Sequence, residues 1–522
     1  RDRPLRIQLR WRGWRRLASD PSVDRTLRRD VLRDSQSMRL NSNGDLTEVE
    51  MKYSQNKTRG RTGNRWLLLA AMVPLLAFTT ACDSLLDVSV PGFVTVDALD
   101  DPDLAETLVL SDVGDFECGF VDYMWYPGQW YELFLNTSGS RPDGLSGVRS
   151  ALVDVYADPC DSGTGPVWSV MQLPRQQAKR AINYIENVYE AGSVTDQELL
   201  VAKASLYEGY ATQLLSEQFC AITMDGGPLM SRAAGYAAAE GMFSKSITQA
   251  TAAVAAGQSG AQWVLDAAYV GRARAKLYQG NGTGAVSDAQ LVTSGYEGLS
   301  TYETSPGRRN NRIVEYDNVG DAIMPHEHYA RLTIETDGTL TTSATYVPAG
   351  GAISDPRVPI DEPAGVTENR GLLQKRAQQK YSSEGADIPF ATWREAQLMI
   401  AEAQQGTNAV TIINSLRANS TGLYSGLDSS AWPLPAYAGA TDAASVLALT
   451  IEERRRELWM QGTHSGDKNR YAGVNGYPGW ELRDEYGQAQ SPGKSWPVPF
   501  LEISSNDNVQ GITFASNNVD CT

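Results

Sequence analysis

Between Val167 and Ser294 the apolar residues recur every three or four positions, the spacing of one face of an α-helix. Trp168, Met171, Ala178, Ile182, Ile185 and Val188 mark one stripe. Leu200, Ala204, Tyr207, Ala211 and Leu215 mark a second within Leu199–Phe219, which Gly226, Gly227 and Pro228 then break. Further helices are predicted over Ala237–Ala256, Gln262–Tyr278 and Thr283–Thr293. In the last pair Ala267, Gly271, Ala273, Ala275, Gly280, Ala285 and Ala289 are all small. Small residues at such spacings let antiparallel helices approach closely and stack as tetratricopeptide-like hairpins. Helical patterns resume at Phe390–Gln405, Ala409–Ala418 and Ala443–Gln461. The predicted fold class is mainly α, a tetratricopeptide-like helical-repeat frame over about 167–294 and 390–462. Residues 295–389 and 419–442 are rich in Gly, Pro, Asn and Thr, with short β-type runs such as Tyr329–Glu335. They are expected to form the irregular, loop-rich, ligand-facing part.

The amino-terminal region reads as a processing signal. Lys52, Lys57, Arg59, Arg61 and Arg65 precede an apolar run from Trp66 to Phe78, too short to span a membrane and broken by Pro74. Thr79, Thr80 and Ala81 then lead to Cys82, a placement similar to a lipobox, whose thiol carries the lipid anchor. The expected organisation is a leader over 1–50, untranslated or disordered, a lipoprotein signal peptide over 51–81, and one large domain over 82–522.

Charge follows that division. Residues 1–81 carry 17 Lys+Arg and 8 Asp+Glu, whereas residues 82–522 carry 29 and 54. A body so negative repels phosphate backbones, so nucleic acid is not an expected partner. Cys118, Cys160, Cys220 and Cys521 remain once Cys82 is set aside, an even number that is expected to form two disulfides in an oxidising compartment. Turn-rich surroundings favour pairing Cys118 with Cys160, which leaves Cys220 for Cys521.

Nothing in the sequence marks catalysis. There is no G-x-S-x-G, no HExxH and no P-loop, and three histidines leave little acid–base capacity near neutral pH. His326 and His328 would share one face of a strand, but no third metal ligand is evident, so neither metal nor cofactor is expected. Aromatic residues outside the helical stripes are better candidates, because rings stack on the apolar faces of sugars. Trp125, Tyr126, Trp130 and Tyr131 cluster in YMWYPGQWYELF, a segment with Pro and Gly. Tyr302, Tyr316 and Trp432 lie in the insertions. Trp168, Gln172 and Arg175 form a helical face that could join stacking to polar contacts.

Five motifs resemble the SusD/RagB family of nutrient-binding outer-membrane lipoproteins. Cys82–Asp87 (CDSLLD) is similar to its start, and Ser354–Arg357 (SDPR) to its S-D-PR loop. Glu395–Ala403 (EAQLMIAEA) is similar to its AE-rich helix, Glu452–Gly462 (EERRRELWMQG) to its ERRREL helix, and Trp496–Asn506 to its Pro-rich close. The stretch after the ERRREL helix departs from the family, since of its aromatic HRWFD only Asp467 is kept. The resemblance implies a SusD-like fold and a lipid-anchored protein of the outer membrane facing the exterior. It also implies a non-enzymatic role: capturing an oligosaccharide or peptide for a TonB-dependent, SusC-like barrel. A helical-repeat envelope scaffold without a small ligand and, behind it, a surface glycoside hydrolase are the competing readings.

Overall fold

The structure is a computed structural model describing residues 97–138, 168–304, 309–345, 347–481, 483, 485–487, 495–496 and 498–509. The lipobox, the signal segment, Cys160 and Cys521 lie outside these residues. Cys118 and Cys220 are both disulfide-bonded.

The first helix, α1 (Ala105–Trp130), is 26 residues long and contains most of the aromatic YMWYPGQWYELF segment. Its Pro and Gly set that segment outside the helical stripes read from sequence. Pro127 falls in the last turn, where the Tyr131 N–H still reaches its carbonyl at 3.0 Å. Residues 115–128 are buried on every side, so this part of α1 has no exposed face to produce a helical period.

From there the helices follow the predicted stripes. α2 (Ser169–Asn183), α3 (Gln197–Gln218), α4 (Arg232–Ala255), α5 (Ala261–Tyr278) and α6 (Gly282–Ala289) each pack on the preceding one, and α2 lies against α1. Ser231 caps α4 by accepting the Ala234 N–H at 3.2 Å, and Asn281 caps α6 through the Gly284 N–H at 2.9 Å. The small residues do what their spacing implies. The Phe243 ring of α4 wedges between α3 and α5, and a Cβ built on Gly209 or Gly271 would lie 2.8 or 2.5 Å from it.

The second half returns to this frame. α7 (Trp393–Gln404), α8 (Gly406–Ala418), α9 (Ala443–Glu457) and α10 (His464–Tyr471) pack on one another, and α6 meets α7. Short antiparallel strands tie in the irregular part. β1 (Phe134–Asn136) pairs with β3 (Ile323–Pro325), and β2 (Glu297–Ser300) pairs with β7 (Ile388–Thr392). β4 (Leu332–Ile334) lies between β5 (Leu340–Thr342) and β6 (Ile353–Ser354). One apolar core runs from α1 through α5 to Phe390 and Trp459, with Phe390 edge-on to Phe116 and Tyr210.

Around α9 the packing is ionic. Arg357 of the SDPR loop is held by Asp355 at 2.7 Å and by Glu453 at 2.5 Å, and Arg417 of α8 shares that Glu453 carboxylate. Arg394 pairs with Glu457 at 2.6 Å, Arg274 of α5 with Glu395 of α7 at 2.6 Å, and Arg454 with Asp467 at 3.0 Å. Every one of these side chains is at most 5% exposed. The residues that carry the SDPR, AE and ERRREL resemblance are therefore structural. They neutralise one another where loops and helices meet, and Asp467 accepts the Arg454 guanidinium there.

Candidate ligand-binding site

The aromatic residues singled out by sequence form a wall inside the molecule. Trp125 lies 4.2 Å from Tyr316 between ring centroids and edge-on to Tyr126 at 5.1 Å. Tyr126 and Trp130 both meet Trp496, at 6.0 and 5.8 Å, and Phe219 links Trp496 to Trp168. Five of the candidates, Trp125, Tyr126, Trp130, Trp168 and Tyr316, thus join one cluster. The Trp125 indole donates to Asp122 at 2.9 Å, and burial pushes that carboxyl up to about 7 against the pull of nearby Arg312. Tyr131 donates to the Gln218 carbonyl at 2.6 Å, and Tyr302 donates to the Glu117 carbonyl at 2.7 Å; both rings are buried. Gln172 and Arg175 bind the turn after α3, with Gln172 donating to the Thr223 carbonyl at 2.9 Å and Arg175 to Asp225 at 2.9 Å. Trp432 stands apart in the loop before α9, half-buried, with no bond to its indole nitrogen.

The open concavity lies elsewhere. A cleft of about 720 Å³ forms where the β4–β5 hairpin, the loop before α9, the outer face of α9 and residues 475–478 converge. The hairpin turns at Asp337-Gly338, and Gly338 has φ +77° with its Cα side only 2.3 Å, by a Cβ built there, from the Ala436 carbonyl oxygen. Only glycine allows that contact, which brings the Tyr437 segment to the hairpin, where the Ala438 N–H donates to the Asp337 carbonyl at 2.9 Å.

Hydroxyls and amides line much of this cleft: Thr339, Thr341, Thr342, Ser445 and Asn475, with the rings of Tyr437 and Tyr477 at its sides. Its floor is charged but internally satisfied. Glu452 receives Arg455 through two bonds of 2.8 and 2.7 Å and Arg456 through one of 2.7 Å. Arg455 also donates to the His328 carbonyl at 2.7 Å, and Arg456 to the Thr341 carbonyl at 2.9 Å. Burial would raise the Glu452 carboxyl, but the two guanidiniums overcome it and hold the group down at about 2. A carboxylate held ionised so firmly cannot act as the general acid that glycoside cleavage needs. Tyr437, Tyr477 and Asn475 carry no motif that marks them in the sequence. Tyr477 sits in VNGYPGW, the same aromatic-in-a-turn signal that marks Trp432.

No family model and no curated protein sequence matches the chain. Solved structures do match it. One is a SusD-like carbohydrate-binding protein from Bacteroides fragilis, with TM-score 0.54 and 15% identity over 79% of this chain and 99% of that one. This chain has the SusD fold. A SusD superfamily protein from Bacteroides vulgatus matches with TM-score 0.51 and 13% identity, over 77% of this chain and 96% of its own. A SusD homolog from Bacteroides thetaiotaomicron does so at 0.50 and 13%, over 79% and 97%. In this instance of the SusD fold the cleft is built on its irregular half, against the outer face of the ERRREL helix. Among the described residues no helix is long and apolar enough to cross a membrane.

Proposed function

We propose that this protein binds an oligosaccharide in the cleft beside α9 and does not cleave it. The supporting observation is the lining itself, with hydroxyl and amide groups, two tyrosines and a floor on which Glu452 is paired with Arg455 and Arg456; Glu327 and Arg331 also line it. A neutral polyhydroxylated ligand offers many hydrogen-bond partners and apolar C–H faces, and needs no counter-charge. The Bacteroides fragilis structure sharing the fold is titled a carbohydrate-binding protein, which favours sugar over peptide. In this reading Cys82 carries the lipid, the domain faces outward from the outer membrane, and the captured ligand passes to a TonB-dependent barrel.

Titration calorimetry of the purified protein against malto-, xylo- and chito-oligosaccharides and mixed peptides tests the binding step. One sugar class binds with unchanged length after incubation, and Tyr437→Ala weakens it by roughly tenfold, the loss of about 1.4 kcal/mol of ring contact. Binding of peptides alone, or shortening of the bound sugar, sinks the reading. Radiolabelled palmitate incorporated by cells into the wild type and not into Cys82→Ser tests the anchor.

A further inference from the structure

The cleft ends at His328, and behind His328 is a cluster that ligand capture does not use. His326 and His328 flank a short turn after β3, with ring centroids 4.4 Å apart. Glu481, more than 150 residues later, enters between them. Its Oε2 is 3.5 Å from His326 Nε2, and its Oε1 is 3.2 Å from His328 Nε2. The two rings and this carboxylate each offer a ligand atom within 4.8 Å of the others. Glu132 closes the group from the end of α1, its Oε2 3.3 Å from His328 Nε2.

We propose that His326, His328 and Glu481 bind a divalent transition-metal ion of the zinc type. The spacing is the first argument. Charge-assisted hydrogen bonds draw nitrogen and oxygen to about 2.7–2.9 Å, yet the Glu481 oxygens stand 3.5 and 3.2 Å from the two ring nitrogens. Ligands about 2.0–2.1 Å from a tetrahedral ion are separated by roughly 3.3–3.4 Å along each edge. The unmade bond is the second argument. His328 Nε2 is buried and lies in no hydrogen-bonding geometry with either carboxylate it faces. On the far side of the His326 ring, Nδ1 accepts the His328 N–H at 3.4 Å. The third argument is charge. Two carboxylates face two imidazoles with Lys468 as the nearby cation, bonded to Glu132, so the group retains negative charge for an added cation. Imidazole and carboxylate donors together suit zinc and its neighbours better than calcium. The ion would fasten Glu481, and with it the 475–478 wall of the cleft, to β3.

The test titrates tag-free protein, stripped with a chelator, with zinc chloride, and then repeats the titration for His326→Ala, His328→Ala and Glu481→Gln. The expected result is one zinc per chain, with each substitution weakening binding by roughly tenfold or more, at least what loss of an outer hydrogen-bonding partner costs. Cobalt in place of zinc gives the visible bands of a tetrahedral ion in the wild type alone. Melting curves in EDTA establish that each variant is folded, and the near-isosteric Glu481→Gln decides the matter if a histidine variant is not. Absence of stoichiometric zinc binding, or equal affinity in wild type and Glu481→Gln, overturns the proposal.

Discussion

Arg357 donates to Glu453 at 2.5 Å with both side chains 1% exposed, joining the SDPR loop to the middle of α9 across 96 residues of sequence. Arg417 reaches the same carboxylate from α8, so Glu453 is the point where two guanidiniums are neutralised. Replacing it with Gln leaves buried Arg417 without a carboxylate and Arg357 dependent on Asp355. Chemical denaturation of Glu453→Gln should show a loss of about 3–5 kcal/mol. A loss below 1 kcal/mol would mean that water reaches the cluster.

Gly271→Ala gains helix propensity and loses packing. The added methyl would sit 2.5 Å from the Phe243 ring, and overpacking of that kind costs about 1–3 kcal/mol, against about 1 kcal/mol gained. A small net destabilisation is expected, and Phe243→Leu should rescue it in a double-mutant cycle. Strict additivity would show that the ring simply moves aside.

Glu217 sets a pH dependence of definite sign. Its side chain is fully buried on α3, and burial pushes its carboxyl from the ordinary 4.5 up to about 7 despite nearby Arg274. The folded protein therefore holds a proton that the unfolded chain releases near pH 4. The resulting stability is present below that pH and lost as pH rises through about 7. Glu217→Gln should flatten this slope, with a gain at pH 8 on the order of 3 kcal/mol. Parallel melting curves from pH 5 to 8 for the two proteins would refute it.

Cys118 and Cys220 should resist iodoacetamide in the folded, unreduced protein and react fully once reduced and unfolded. Peptide mass mapping reads both states. Alkylation of either before reduction contradicts the structure.

The frame was legible because α2 to α5 and α7 to α9 each carry an apolar stripe, which one sequence displays directly. α1 was not, since its residues 115–128 are enclosed on all sides and Pro127 reads as a break. The SDPR, AE and ERRREL motifs pointed to the fold, but their role as mutually neutralising charges emerges only when loops separated by about a hundred residues meet. The cleft was less legible still. The turn chemistry of Asp337-Gly338 is readable, yet nothing local says that Tyr437 docks on it. Likewise His326 and His328 announce a pair, while Glu481 is too distant in sequence to be paired with them. Aromatic content alone could not tell Trp125, which stacks inside, from Tyr437, which lines the opening.

The order of the ion pairs along the chain has a consequence for synthesis. α1 to α6 bury one another in sequence order, so each hairpin can close as it leaves the ribosome. Arg274 must then wait 121 residues for Glu395, Arg357 96 for Glu453, and Arg394 63 for Glu457. Arg274 is paired once α7 is made, whereas Arg394 and the Arg357–Glu453 contact wait for α9, so chains truncated before α9 should stop as a stack of hairpins with an unfinished second half. Completion of the cleft is thereby coupled to completion of the polypeptide.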